Sequence, residues 1–261
     1  MTAPNKMPVL FVGHGNPMNA IEDNEFSKAW NEIGKSIPIP KGILCISAHW
    51  ETRGTQITAM MLPPTIHDFG GFPRQLYEVQ YPAPGNPLLA SEIKNQILHT
   101  DVSLDLSSWG LDHGTWSVLK HLFPKADIPV LQMSINQNKS PKEHYELSKE
   151  LAFLRSKGIL IIGSGNVVHN LRLVDWQNEN AEHAWAIEAN QSIKSFIETG
   201  NHNALIDFRN QGRAYDLAIP TAEHYIPLLY TLALQEPTDK ISFFSDKLVM
   251  GSLSMTSVLI S

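Results

Sequence analysis

The sequence predicts an α/β fold with a central mixed, largely parallel sheet flanked by helices. Three observations carry that expectation. Apolar runs too short for a stable helix, such as Val9-Leu10-Phe11-Val12, stop at Gly- and Pro-rich turns and read as buried strands. Segments with apolar residues at helical spacing alternate with those runs. Residues 9–51 have the spacing of a strand, helix, strand unit, whose two strands run parallel.

The first run, Met7 to Met18, ends at His14, held between Gly13 and Gly15. His14 therefore stands at the carboxyl end of a strand, the edge at which open α/β sheets bind ligands. Alone, a histidine in a tight turn is more often a local hydrogen-bonding residue than a ligand. Here the same pattern recurs. Glu22 to Ile33 sets Phe26, Trp30 and Ile33 on one helical face, with Gly34 and the Pro38-Ile39-Pro40 turn as its expected end. Gly42 to Glu51 is then a second buried strand, and parallel pairing brings its His49 to the same edge as His14. His49 reads either as a core histidine beneath Trp50 or as a ligand.

Leu62 to Pro87 is rich in Pro, Gly and aromatics, which predicts an ordered lid or pocket wall. Leu88 to Leu98 reads as a helix and Val102 to Leu106 as a weak strand. Asp112-His113-Gly114 precedes a helix through Leu122; neighbours at a helix start do not face each other, so no Asp112–His113 dyad follows. Pro129 to Ile135 is a strand, Pro141 to Lys157 an amphipathic helix closed by Gly158, and Ile159 to Ile162 a third buried strand. The latter runs into Gly163 to Leu171, which contains His169. This stretch lacks the third glycine of a dinucleotide-binding loop and the G-x-S-x-G elbow that would make Ser164 a nucleophile. Ala184 to Ile197 is a helix, and His183 and His202 read as surface residues. Pro220 to Tyr225 is expected to open a helix with Thr221 as N-cap, placing His224 in the first turn, where the dipole disfavours an imidazolium. Ile241 to Phe244 and Gly251 to Val258 are the final strands.

Length alone, 261 residues, permits one large domain or two small ones, and no Pro/Gly/Ser-rich linker divides the chain. A formal charge of -6 without a basic stripe argues against a nucleic-acid partner. No signal-peptide pattern and no apolar stretch of membrane-spanning length are present, which argues against secretion and membrane insertion. The single cysteine, Cys45, cannot form an internal disulfide and points to a reducing compartment, the cytoplasm by default.

His14, His49, His113, His169 and His224 all fall at element ends, with no regular spacing between them. They converge only through folding. A structural zinc site usually brings cysteine and tight local spacings, neither of which occurs here, so an open, catalytic site is the better metal hypothesis. Three neutral histidines leave the metal's double charge uncompensated, and a bidentate dianion such as a catecholate would neutralise it.

Gly13-His14-Gly15-Asn16-Pro17-Met18, Ser47-Ala48-His49-Trp50, Pro63 to Pro73, Gly163 to Leu171 and Glu223-His224-Tyr225 together resemble the class III extradiol ring-cleavage dioxygenases. The motifs occur in the family's order and span nearly the whole chain. The resemblance implies one catalytic domain over residues 1–261, with a single divalent metal ion in a cleft at the strand ends. It implies His14, His49 and His224 as ligands, with His169 as a fourth ligand or an acid/base, and His113 in contact with substrate or oxygen. His67, Phe69 and Phe72 of the lid would then exclude water and meet the substrate ring, or, for the phenylalanines, simply pack. The implied partners are O2 and a small catechol such as DOPA, for a monomer or small homo-oligomer. Better-known members use a carboxylate as third ligand. Here that position is His224, beside Glu223, and an all-histidine set implies Zn(II) as purified although turnover uses Fe(II). The alternatives are a Memo-like, non-catalytic binding protein of the same superfamily and a zinc hydrolase.

Overall fold

In the computed structural model, which describes residues 6–261, the apolar runs assemble into an eight-stranded sheet. The strands are β1 (Val9–Gly13), β2 (Gly42–Thr52), β3 (Thr55–Thr58), β4 (Val102–Asp105), β5 (Val130–Asn136), β6 (Ile159–Gly165), β7 (Ile241–Phe244), β8 (Leu248–Val249), β9 (Leu253–Ser254) and β10 (Ser257–Ile260). Their order in the sheet is β4-β3-β5-β2-β6-β1-β10-β7, and β8 and β9 form a separate ribbon. The four central strands are parallel. β10 runs antiparallel between β1 and β7, and β3 antiparallel to β5, so the sheet is mixed at its flanks.

Alternate residues of the central strands feed two separate cores, because successive side chains of a strand point to opposite faces. Val9, Phe11, Leu44 and Ile161 join one core with Leu147, Ile193 and Leu229 of the helices Pro141–Lys149, Ala184–Glu198 and Ile226–Leu232. Leu10, Val12, Ile43 and Ile162 join the other with Trp30 of the helix Glu25–Ser36 and Trp116 of the helix His113–Leu122. The chain is thus a single α/β domain with helices on both faces.

Several boundaries differ from the sequence expectation. The first helix starts three residues later than expected, because Asn24 and Ser27 form a reciprocal capping box. It also continues through Gly34, which serves packing instead: a Cβ there would lie 2.1 Å from the Leu122 carbonyl oxygen, so the missing side chain lets the two helices touch. The segment expected as one helix from Pro141 to Lys157 is two, Pro141–Lys149 and Phe153–Ser156. His183 and His202 are half-buried rather than on the surface, with ring nitrogens on the Leu173 carbonyl and the Tyr145 hydroxyl. Thr221 caps no helix; its hydroxyl donates to Glu223, and the helix begins only at Ile226. His224 therefore lies in the turn before the helix, and its charge state is set by burial and by its neighbours more than by a helix dipole.

Three backbone features carry the site. The His14 N–H donates to the Gly165 carbonyl, tying the end of β1 to the end of β6. Between β2 and β5 the register jumps from Ile46↔Met133 to Glu51↔Ile135, so residues 47–50 stand opposite Ser134 alone. Such a bulge re-aims side chains, and His49 is at its centre. At the end of β6, a Cβ on Gly165 would lie 2.1 Å from the His224 carbonyl oxygen, which accepts from the Asn166 N–H at 2.9 Å; glycine lets the turn bearing His224 press onto the strand end.

Candidate metal centre

His14, His49 and His224 converge at the carboxyl edge of β1, β2 and β6, with ligand atoms all within 4.8 Å of one another. Each of the three has its Nδ1 facing an oxygen. Ser164 Oγ donates to the Gly114 carbonyl at 2.5 Å, so toward His14 Nδ1, 3.0 Å away, it accepts. That places the His14 proton on Nδ1 and leaves Nε2 with a lone pair. His49 Nδ1 faces the Asp68 carboxylate at 3.5 Å, and His224 Nδ1 faces Glu223 Oε1 at 3.2 Å. Oxygen partners of this kind on the far ring nitrogen fix the tautomer of a metal-binding histidine.

The Nε2 atoms of His14 and His49 are 3.1 Å apart. With both protons on Nδ1, two lone pairs meet at that distance and repel. Two nitrogen ligands on one ion, each about 2.0–2.1 Å from it, stand about 3.0–3.4 Å apart, so the pair fits a shared cation.

The electrostatics favour the neutral imidazoles that a metal requires. Burial first, and then His49, His224, His113 and His169, hold His14 far below the usual histidine range. Burial and the adjacent His169 and His49 do the same to His224. His49 is pushed down to about 3 by burial and by His113, against the pull of Asp68. Burial takes His169 to about 4, with Glu223 opposing.

His113 is held twice by one carboxylate: its N–H donates to Asp68 Oδ1 at 2.8 Å and its Nδ1 to Asp68 Oδ2 at 2.9 Å. Burial alone would raise Asp68, yet these hydrogen bonds and the nearby His113 and His49 keep it below the ordinary carboxylate value. Beneath them lies wholly buried Asp112, the N-cap of the helix His113–Leu122. It accepts from Ser47 Oγ at 2.7 Å, from the Thr115 N–H and from Gln132, which pins the start of the β2 bulge. Burial and the nearby Asp68 push Asp112 up to about 6. Asp112 makes no dyad with His113; it organises the strand that carries His49.

His169 stacks face to face on His224, ring centroids 3.5 Å apart and planes 8° from parallel. It groups with Glu223 and His224 and not with His14 and His49. All five of these histidines line a cavity of about 340 Å3, together with Asp68, Phe69 and Phe72. His67 does not line it. Its Nε2 is committed to the Val79 carbonyl at 2.9 Å and its ring packs beside Phe69 and Trp116, so it holds the lid loop in place. Its neighbour Asp68, which the sequence reading passed over, turns into the site. Trp176, a further lining residue, sits beside the polar stretch Gln177 to Asn180 with no periodic signal, and Leu171 ends the Gly163 to Leu171 motif with no mark of its place on the wall.

The buried neutral histidines make the metal-free protein acid-sensitive. Above pH 6.5 they are neutral folded and unfolded and contribute nothing. Below it the unfolded chain takes up protons at the ordinary value near 6.5, while His49, His169 and the separately buried His144 resist until about 3 to 4. Each such group costs about 1.4 kcal/mol of stability per pH unit. Asp112, below about 6, and Glu51, raised by burial and the nearby Glu223, work in the opposite sense, but are two groups against several. The melting temperature of chelator-treated protein is therefore expected to drop between pH 6.5 and 4.5. An unchanged midpoint across that interval would contradict neutral burial.

Comparison with known proteins agrees with the fold. Residues 8–254 match the family model described as the catalytic LigB subunit of aromatic ring-opening dioxygenase. The chain is 45% identical over 258 residues to 4,5-DOPA dioxygenase extradiol of Escherichia coli strain K12, covering 98% of this chain and 95% of the relative. It is 36% identical over 231 residues to the Beta vulgaris protein of the same name, covering 86% and 85%. A crystal structure of an uncharacterized Escherichia coli K12 protein superposes with a TM-score of 0.86 at 40% identity, covering 98% of this chain and all of that one.

Proposed function

Because the chain belongs to the family of the catalytic LigB subunit of aromatic ring-opening dioxygenases, and is an extradiol dioxygenase, we propose that it opens the ring of a catechol such as DOPA with O2, using one divalent metal ion held by His14, His49 and His224. The observation that carries this reading is the convergence of three neutral imidazoles, each with its Nδ1 turned to an oxygen, on one wall of a cavity lined by Phe69 and Phe72. Fe(II) bound there would supply coordination for both catechol oxygens and the redox chemistry that O2 requires, which zinc lacks. No helix among the described residues is long and apolar enough to cross a membrane.

The chain's own groups supply the proton transfers. Ring opening asks for one proton to leave the second hydroxyl and one to reach the leaving oxygen, and histidine suits both near neutral pH. With Nδ1–H held by Asp68, His113 keeps its other ring nitrogen, Nε2, free to take part in hydrogen bonding to substrate. His169, neutral and stacked on His224, is the other candidate. Phe69 packs edge-on against His113 and Phe72, so the aromatic wall both walls off water and holds the His113 ring.

Anaerobic reconstitution with Fe(II), then addition of DOPA and air, is expected to consume one O2 per catechol and to give a yellow semialdehyde. Protein with matched zinc content should consume none. Equal O2 consumption with the two metals would overturn the requirement for Fe(II).

A further inference from the structure

Outside its histidines the cavity is lined mainly by apolar side chains. Apart from the five histidines, its polar side chains are Asn16 and Asp68, and no lysine or arginine lines it. Asp68 has both oxygens engaged by His113 and also faces His49. Asn16 uses its side-chain oxygen on the Met18 N–H. Around them stand Phe72, Leu171, Trp176, Met250 and Leu253. Trp176 is 73% exposed and Leu171 57% exposed, so among the described residues these large apolar side chains at the mouth stay largely uncovered. Arg172, their neighbour in sequence, is exposed and is not among the lining residues.

Resting on the reading that this site opens catechols, we propose that it selects a catechol whose ring carries an uncharged, apolar substituent, such as a propyl group, seated against Trp176 and Leu171. A zwitterionic substituent such as the amino-acid group of DOPA is the poorer fit. A carboxylate placed on this wall gives up water and meets no cation, and an ammonium finds the Asp68 carboxylate already engaged. Each methylene that leaves water here instead strengthens binding about fourfold. Trp176 supplies the largest apolar surface at the mouth and is the residue that sets the preference.

The test uses the Fe(II)-loaded protein under anaerobic conditions, with affinity read by calorimetry. Three ligands of similar length are compared: 4-propylcatechol, 3-(3,4-dihydroxyphenyl)propionate and DOPA. The propyl compound is expected to bind about tenfold or more tighter than either charged one, and the order of kcat/KM after admitting air should follow. Trp176→Ala, an exposed position that leaves both cores intact, should cut that ratio to about threefold or less; Leu171→Arg should narrow it by strengthening the carboxylates. Equal or tighter binding of the charged ligands overturns the preference alone, as does a Trp176→Ala protein with an unchanged ratio. Failure of all three catechols to bind overturns the preference together with the reading of the site beneath it.

Discussion

His224→Ala is expected to lose its metal ion and, with it, ring opening. His14, His49 and His224 are the three groups whose ring nitrogens meet within 4.8 Å, and removing one leaves a two-ligand site. Changes to the oxygen partners behind such ligands cost about 10–100-fold in affinity, so loss of the ligand itself should exceed about 100-fold. Glu223→Gln is the matched control, since Glu223 Oε1 faces His224 Nδ1 and the variant should fall within that smaller range. Elemental analysis after dialysis gives occupancy, and competition with a chelator gives the affinities. Circular dichroism verifies that the variant has kept its secondary structure. Full occupancy in folded His224→Ala would move the third ligand elsewhere, with Asp68, His113, His169 and Glu223 the remaining donors grouped around the site.

The parts of this site that local sequence reveals are those created by local events. An apolar run that stops at glycine and histidine marks a strand end, and so β1, β2 and β6, with His14, His49 and His169, are legible from the residues alone. Parallel pairing then brings the strand ends to one edge. Gly34 shows where that logic stops: a glycine after an amphipathic stretch reads as a helix end, whereas here it serves contact with Leu122, 88 positions away in number. Thr221 likewise looks like a cap, yet its hydroxyl is taken by Glu223. The bulge at residues 47–50 depends on Asp112 holding Ser47, which no pattern near His49 announces. His67 and Asp68 are adjacent, and only the packing of the lid against Trp116 decides that the first anchors the loop while the second enters the site. Trp176 stands beside a run of polar residues that reads as a solvated loop; its part in the cavity wall comes from the ribbon and the strand ends folding beside it.

His169→Gln is expected to keep most of its metal and bind a catechol within about threefold of the parent, yet turn over about 10²- to 10⁴-fold more slowly, the usual worth of a general acid or base. Position separates this residue from the ligand set. Its ring lies flat on His224 at 3.5 Å and groups with Glu223, away from the His14 and His49 nitrogens. Held at about 4 by burial, it is neutral at pH 7. Its backbone is fixed, the N–H donating to the Ala218 carbonyl and the residue bridging to Leu253, so any approach to substrate is a rotation of the side chain and not a movement of the loop. Glutamine keeps similar bulk and hydrogen bonding but cannot exchange a proton at neutral pH. The three readouts assign the role between them. Loss of metal from the variant makes His169 a ligand, and unimpaired turnover removes it from the chemistry. Metal retained with a slow step leaves it one of the two groups that move protons, with His113 the other.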